Sequence, residues 1–336
     1  MTERTVLAGD IGGTKTTLAL YDRTGILLRE TTFRNREFSG LEQVLARFLE
    51  PENAPPLRAC FGIAGPVHAN RVRMTNLNWS MDGEQLAEKL GAEQVLLVND
   101  LVATAAGAVA LPPESLRTLN PGRPVDGGVI AVLAPGTGLG ESFVLNLDGK
   151  KHPFPTEGGH SSFAPRNDEQ VELLQFLRDK RDHVSVEQVC SGMAIPDLYR
   201  FMTTRHAEPT WLRDELAHTE DRTPIIVTAA NQALQGKRSC EPALQALRLF
   251  VDILAAEAAN LCLKVLALGG VYIGGGMPPR LLSFFEPRRF MDIFCRGVYS
   301  TMLAQIPVHI ILEPGTALIG ARELALGGRN RKSVGE

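Results

Sequence analysis

Residues 5–22 read Thr5-Val-Leu-Ala-Gly-Asp-Ile-Gly-Gly-Thr-Lys-Thr-Thr-Leu-Ala-Leu-Tyr-Asp22. An apolar run ends at Asp10, two glycines and a threonine follow, and a second β-rich run leads away. The pattern predicts a hairpin with Gly12 and Gly13 at positive φ in its turn. Without a Cβ there, a polyanion can approach the main chain closely, and Thr14 adds a hydroxyl donor. Asp10 stands at the strand end, and a carboxylate beside a phosphate site calls for a bridging divalent cation. On these residues alone, an ordinary Gly-Gly hairpin with an acidic strand end reads equally well. The turn is neither a Walker loop nor a dinucleotide fingerprint, because its glycines lead into another strand rather than opening a helix.

The same pattern returns at Val129-Ile-Ala-Val-Leu-Ala-Pro-Gly136-Thr137-Gly138-Leu-Gly140, followed by Glu-Ser-Phe-Val-Leu-Asn-Leu147. The repeat points to two related α/β halves, each starting with a phosphate-type hairpin; two unrelated hairpins are the alternative. A third strand-to-glycine turn lies at Val271-Tyr-Ile-Gly274-Gly275-Gly276. Together the three turns suggest one nucleotide, its phosphates on the first two and its nucleoside on the third.

Two further groups of residues carry chemistry. Asn99-Asp100 follows an apolar strand and precedes an alanine-rich helix, so Asp100 should lie at the carboxyl end of a sheet, where open α/β folds bind ligands. There it is either a helix N-cap or a general base for an attacking hydroxyl. Glu157-Gly-Gly-His160 places an acid and an imidazole on one turn, able to meet one polar ligand. Glu187, in His183-Val-Ser-Val-Glu187, reads as a helix N-terminal acid capped by Ser185.

Composition narrows the function classes. The 336 residues carry a net charge of −3, with no general attraction to nucleic acid or anionic membranes. The apolar stretch 249–270 contains Asp252, Glu257 and Lys264, which marks a core helix rather than a membrane span. The five cysteines are scattered without a CxxC pair, as expected of reduced cytosolic thiols. No signal peptide precedes the first strand pattern.

Strands and helices alternate along the chain, which predicts an α/β fold. Strands are expected at 25–33, 57–64, 93–98, 271–273 and 308–312. Helices are expected at 39–49 (Ser39 and Glu42 forming a capping box), 81–90, 101–111, 169–178, 186–201, 238–268, 280–285 and 315–325. Residues 74–79 read as a polar loop, 112–128 as a loop-rich boundary, the stretch after Lys150 as a loop, and 329–336 as a frayed basic tail.

Several segments, in order, resemble those of bacterial glucokinases, within the actin-like, hexokinase-type ATPase superfamily. They are Gly9-Asp-Ile-Gly-Gly-Thr14, Val98-Asn-Asp100, Ala134-Pro-Gly-Thr-Gly-Leu-Gly140, Glu157-Gly-Gly-His160, Phe163-Ala-Pro165, His183-Val-Ser-Val-Glu187 and Ile273-Gly-Gly-Gly-Met-Pro-Pro-Arg280. The resemblance implies a two-lobed ribonuclease-H-like fold with a central cleft. It divides the chain into a small domain of 1–112 plus 314–336 and a large domain of 113–313. It implies a cytoplasmic, homodimeric enzyme that uses ATP and Mg2+ to phosphorylate glucose at its 6-hydroxyl. Asp100 resembles the catalytic base. Asn99, Asp100, Glu157, His160 and Glu187 resemble the sugar-binding residues, with Asn76 nearby. Asp10 resembles the acid near magnesium. Gly12, Gly13, Thr14, Gly136, Thr137 and Gly138 resemble the phosphate turns, and Gly274, Gly275 and Gly276 the adenosine turn.

The sequence departs from that family pattern in three places. Lys15 stands where the family often has Asn, as in the related repressor–open reading frame–kinase sugar kinases. Ser161-Ser162-Phe163 follows His160 in place of those kinases' cysteine-rich segment, so no zinc is expected. Met193-Ala194 replaces Pro-Gly after Ser191-Gly192. A kinase for another hexose or amino sugar, or less readily a non-catalytic sugar-responsive regulator, is the alternative reading.

Overall fold

The computed structural model describes residues 5–52, 55–74 and 77–327. The expected tail 329–336 and Asn76 lie outside them. The chain forms two units: Met1–Pro113 with Lys151–Pro155 and Glu313–Glu336, and Glu114–Lys150 with Thr156–Leu312.

In the first unit, β1 (Val6–Ile11) is buried along nearly its whole length, as a strand covered on both faces must be. Its side chains alternate between two clusters: Leu7 and Ile11 join one with Leu41, Phe48, Phe61 and Trp79, while Val6 and Ala8 join the other with Leu318 and Ala321. Strands β2 (Lys15–Tyr21) and β3 (Leu27–Arg34) continue antiparallel to one side. After helix α1 (Leu41–Leu49), β4 (Arg58–Ile63) runs parallel to β1. A separate hairpin follows, β5 (Arg71–Met74) and β6 (Trp79–Asp82). Helix α2 (Gly83–Leu90) leads to β7 (Gln94–Asn99), parallel to β4, and then to α3 (Asp100–Ala108). The sheet order is β3-β2-β1-β4-β7. The terminal helix Thr316–Gly327 packs on α3 through small residues: a Cβ on Gly107 would fall 2.0 Å from the Thr316 carbonyl oxygen, and one on Gly320 1.7 Å from that of Ala103. This contact steadies the helix that begins at Asp100.

The second unit holds β8 (Leu116–Asn120), β9 (Ile130–Pro135), β10 (Leu139–Leu147) and β11 (Lys150–Thr156), the last reaching into the stretch grouped with the first unit. Helices α4 (Asp168–Arg178), α5 (Ile195–Thr203), α6 (Thr210–Ala217), α7 (Thr223–Leu234) and α8 (Glu241–Val265) precede β12 (Gly270–Ile273). Helices α9 (Pro287–Phe294) and α10 (Ser300–Ala304) precede β13 (Val308–Ile311). The sheet order is β11-β10-β9-β12-β13-β8. An antiparallel hairpin, β9–β10, is followed by two parallel neighbours, β12 and β13, so β1–β2–β4–β7 is repeated in kind. The core is built on α8, whose Phe250, Leu254 and Ala258 are fully buried.

Several expectations need correction. Gly12 and Gly13 are absent from the positive-φ residues of the described chain; the Gly12 N–H donates to the Lys15 carbonyl at 3.0 Å, closing the turn without left-handed backbone. Met74 and Trp79 are strand residues rather than loop residues: Val72, Met74, Trp79 and Met81 bury alternately and belong to the β5–β6 hairpin. Strand β8 lies in the stretch read as a boundary, and β11 in the one read as a loop. Strand β8 owes its form to pairing with the distant β13, whereas β11 pairs with the preceding β10 through the tight Asp148-Gly149 turn. Helix α1 starts at Leu41 on an extended Gly40, and the Gln43 side chain, not that of Glu42, takes the Ser39 N–H. Helix α2 starts at Gly83, capped by Asp82. Residues 186–191 are turns, with α5 beginning only at Ile195. Residues 278–284 form a 3-10 helix.

Candidate active site

In the first unit the parallel strands β1, β4 and β7 all end on one edge. Asp10 pairs with Gly62 and Gly62 with Val98, which sets Asp10 and the start of α3 about 10 Å apart, two strand spacings. Burial raises the Asp10 carboxyl above its usual range. Asn99 is the N-cap of α3: its Oδ1 accepts the Leu101 N–H at 2.9 Å, and its Nδ2 donates to the Gly65 carbonyl at 3.1 Å. Asp100 is therefore the first helical residue rather than the cap, and its Oδ1 also accepts from Leu101 N–H.

The Gly12 turn is braced by Asn35, which is 1% exposed. Its Nδ2 donates to the Gly12 carbonyl at 2.8 Å, its Oδ1 accepts from the Thr16 hydroxyl at 2.8 Å, and its N–H donates to the Thr14 carbonyl at 3.0 Å. Beside the turn lies a hollow of about 330 Å³ lined by Gly13, Thr14, Lys15, Arg34, Arg36 and Leu77. Three cations beside the turn suit an anionic ligand.

In the second unit the Gly136–Gly138 turn and the sugar-type residues form one network. The Leu139 N–H donates to Glu187 Oε2 at 2.8 Å. The other carboxylate oxygen of Glu187 lies 3.8 Å from His160 Nδ1, and His160 Nε2 lies 3.9 Å from Glu157 Oε2. The imidazole thus stands between two carboxylates. A short ladder holds this arrangement: Phe163 N–H to Val184 O, Val186 N–H to Ser161 O, and Glu187 N–H to Gly159 O. Glu187 accordingly sits in a turn next to the glycine loop, not at a helix start capped by Ser185. The third glycine turn adjoins the second, with the Gly274 N–H donating to Leu133 O and the Met277 N–H to Pro135 O. Gly275 holds φ +81° with its Cα pressed on the Pro135 carbonyl, a backbone only glycine adopts cheaply.

The chain matches the family described as Glucokinase over residues 7–327. The chain belongs to the glucokinase family. A glucokinase of Nostoc sp. is 39% identical over 94% of this chain and 97% of its own length. The crystal structure of a glucokinase from an Antarctic psychrotroph superposes with a TM-score of 0.83 at 30% identity, covering 96% of this chain and 99% of that one. A glucokinase of the ROK family from Streptomyces griseus, solved with glucose and AMPPNP, shares the fold at a TM-score of 0.64 and 19% identity, over 96% of this chain and all of that one.

Within this glucokinase-family chain, the structure brings Glu157, His160 and Glu187 together and sets the Gly136 and Gly274 turns side by side. Asp10, Gly12–Thr14, Asn99 and Asp100 share the strand ends of the first unit. Two residues that sequence reading overlooked stand out. Asn35 gave no local signal, since its partners lie at residues 12, 14 and 16. Glu141 did give one, an acid inside an apolar strand; it is 1% exposed, and neither carboxyl oxygen has a hydrogen-bond partner. Among the described residues no group of three or more His, Cys, Asp or Glu could hold a metal by itself. Magnesium keeps most of its waters and takes one or two carboxylates plus substrate phosphates, so the single half-buried Asp10 beside a phosphate-type turn fits it. No helix among the described residues is long and apolar enough to cross a membrane.

Proposed function

We propose that the protein transfers the γ-phosphoryl group of ATP to the 6-hydroxyl of D-glucose, giving glucose 6-phosphate and ADP. The observation that carries this reading is Glu187: one carboxylate oxygen faces His160 of the sugar-type turn, and the other holds the Leu139 amide of a phosphate-type turn. In this reading a site for sugar hydroxyls adjoins a site for phosphate.

Asp100 takes the proton from O6 as the oxygen attacks the γ-phosphorus; the new O–P bond forms while the bond to the bridging oxygen of the leaving ADP breaks. Glu157, His160 and Glu187 orient the pyranose through its hydroxyls. Asn99 joins them with the lone pair and N–H that its cap bonds leave over, and Asn76 belongs to the same set. The amides of Gly12, Gly13 and Thr14 and of Gly136, Thr137 and Gly138 hold the phosphates, and Gly274–Gly276 the adenosine. Asp10 would hold Mg2+, which when bound neutralises triphosphate charge.

The reading also assigns the chain the two-lobed ribonuclease-H-like fold with a small domain of 1–112 plus 314–336, a large domain of 113–313 and ATP in the cleft. It makes the protein a cytoplasmic homodimer. An ADP-release assay over a panel of hexoses, with ATP or polyphosphate as donor, tests the reaction. ADP release that ignores the sugar would sink it. Asp100→Asn should lower kcat roughly 10²–10⁴-fold while glucose binding by calorimetry is retained; unchanged turnover would remove Asp100 as base.

A further inference from the structure

The strand that leaves the second glycine turn carries Glu141 beneath the Glu157–His160 turn. Its carboxyl is packed against the main chain there: a Cβ placed on Gly158 would fall 2.0 Å from Glu141 Oε2 and 3.2 Å from the Thr156 hydroxyl. The strand grips the turn from the same place. The Thr156 hydroxyl donates to the Glu141 carbonyl at 3.1 Å and accepts the Gly158 N–H at 3.1 Å. A Cβ on Gly159 would fall 2.2 Å from the Leu139 carbonyl oxygen. So the turn rests directly on residues 139–141.

A buried carboxylate with no donor is costly, whereas a buried carboxylic acid is not charged and is tolerated far better. The groups around Glu141 favour the neutral acid. Glu257 of α8 is itself 4% exposed and adds a like charge, partly offset by Lys264, whose Nζ lies 3.5 Å from Glu257 Oε1. Cys190 is fully buried, and its thiol is pushed up by burial and by both acids. Arg296 is committed elsewhere, to the Ala256 carbonyl and the Asn260 side chain. On the turn above, the titratable side chains are Glu157 and His160, with Glu187 beside them. Burial first, and Glu257 second, raise the Glu141 pKa to about 7.

We propose that Glu141 is a positioning residue for the sugar: its neutral carboxyl, seated against Gly158, holds the turn that carries Glu157 and His160 in its binding shape, and ionisation of that carboxyl releases the turn. The anion competes for the Thr156 hydroxyl and the Gly158 amide, whose hydrogen bonds tie the turn to the strand. This inference rests on the glucose-kinase reading and adds a proton to it: the binding-competent form is the protonated one.

The consequence is a pH-dependent KM for glucose. Where only the protonated form binds, apparent affinity falls with the fraction protonated, about tenfold from pH 6 to pH 8 for a group titrating near 7. The test is glucose KM and kcat in the ATP-coupled assay from pH 5.5 to 9 for wild type, Glu141→Gln and Glu257→Gln. Glu141→Gln keeps the shape and cannot ionise; its glucose KM should stay within about twofold of the acid-side wild-type value across the range, with kcat unchanged. Glu257→Gln should move the wild-type KM rise to lower pH, since it drops a charge that raises the Glu141 pKa. The opposite move or none counts against the assignment. A Glu141→Gln enzyme with the same alkaline rise in KM as wild type overturns the inference while leaving the kinase reading intact. Absence of glucose turnover by wild type at every pH overturns both.

Discussion

The two phosphate-type hairpins are alike in sequence and in sheet position, yet they are braced differently. The Gly12 turn is held by one buried side chain, Asn35, from the end of the neighbouring strand β3. The Gly136 turn is held by segments from far along the chain: Glu187 at the Leu139 amide, the Gly192 N–H on the Gly136 carbonyl and the Met193 N–H on the Thr137 carbonyl. Among the described residues, the side chain that braces the first turn thus comes from its own sheet. The second shares a carboxylate with the sugar-type residues, so its shape and the shape of that site are one quantity. The two hairpins share a backbone pattern and are held by different parts of the chain.

That contrast is open to direct attack. The largest effect is expected from Glu187→Ala, which removes a charged hydrogen bond at the phosphate turn and a partner of His160 together. At roughly 1.5–3 kcal/mol for each of the two contacts, kcat/KM should fall on the order of 10²–10⁴-fold. KM should rise for glucose and for ATP alike. A change confined to one substrate would break the claim that the second turn serves both.

Asn35→Ala should act on one side only. It strands the Gly12 carbonyl and the Thr16 hydroxyl in a buried place, at about 1–3 kcal/mol each. ATP KM should rise about tenfold and the melting temperature fall, with glucose binding by calorimetry unchanged. Weakened glucose binding would show that the first turn is not independent.

The smallest effects come from paired glycine substitutions. A Cβ on Gly138 would fall 2.3 Å from Glu187 Oε2, so Gly138→Ala must push that carboxylate off the Leu139 amide. A Cβ on Gly12 meets only the Lys15 carbonyl at 3.4 Å, an ordinary contact. In the ligand-free protein the melting temperature should fall by several degrees for the former and by less than about two degrees for the latter. Equal losses would mean that both turns are set by backbone conformation rather than by what packs on them.

Much of the architecture was legible because it is local. A glycine-threonine turn between two β-prone runs announces itself within eighteen residues, and both hairpins form where that pattern stands. Asn99 and Asp100 follow an apolar strand, so their place at its carboxyl end was readable too. Strand β8 and the β5–β6 hairpin were not readable, because short edge strands become strands only when a partner is present, whereas β11 was signalled by the Asp148-Gly149 turn that joins it to β10. Helix starts slipped by one or two residues where an extended glycine or an aspartate, rather than the nearest serine, supplied the cap.

By itself the sequence determined the hairpins with their glycine turns, the alternation of strands and helices around them, and the family to which the chain belongs. These depend on neighbours a few residues apart, whose geometry follows from backbone sterics and side-chain period. Only the tertiary structure decided that Glu187 sits in a turn shared by His160 and Leu139, that Asn35 holds the first turn, and that Glu141 lies unpaired under Gly158. Those facts depend on residues tens of positions apart meeting in a space without water. There an amide, an imidazole or a carboxyl takes its role from the groups that fill its hydrogen bonds, and one-dimensional spacing carries no record of them.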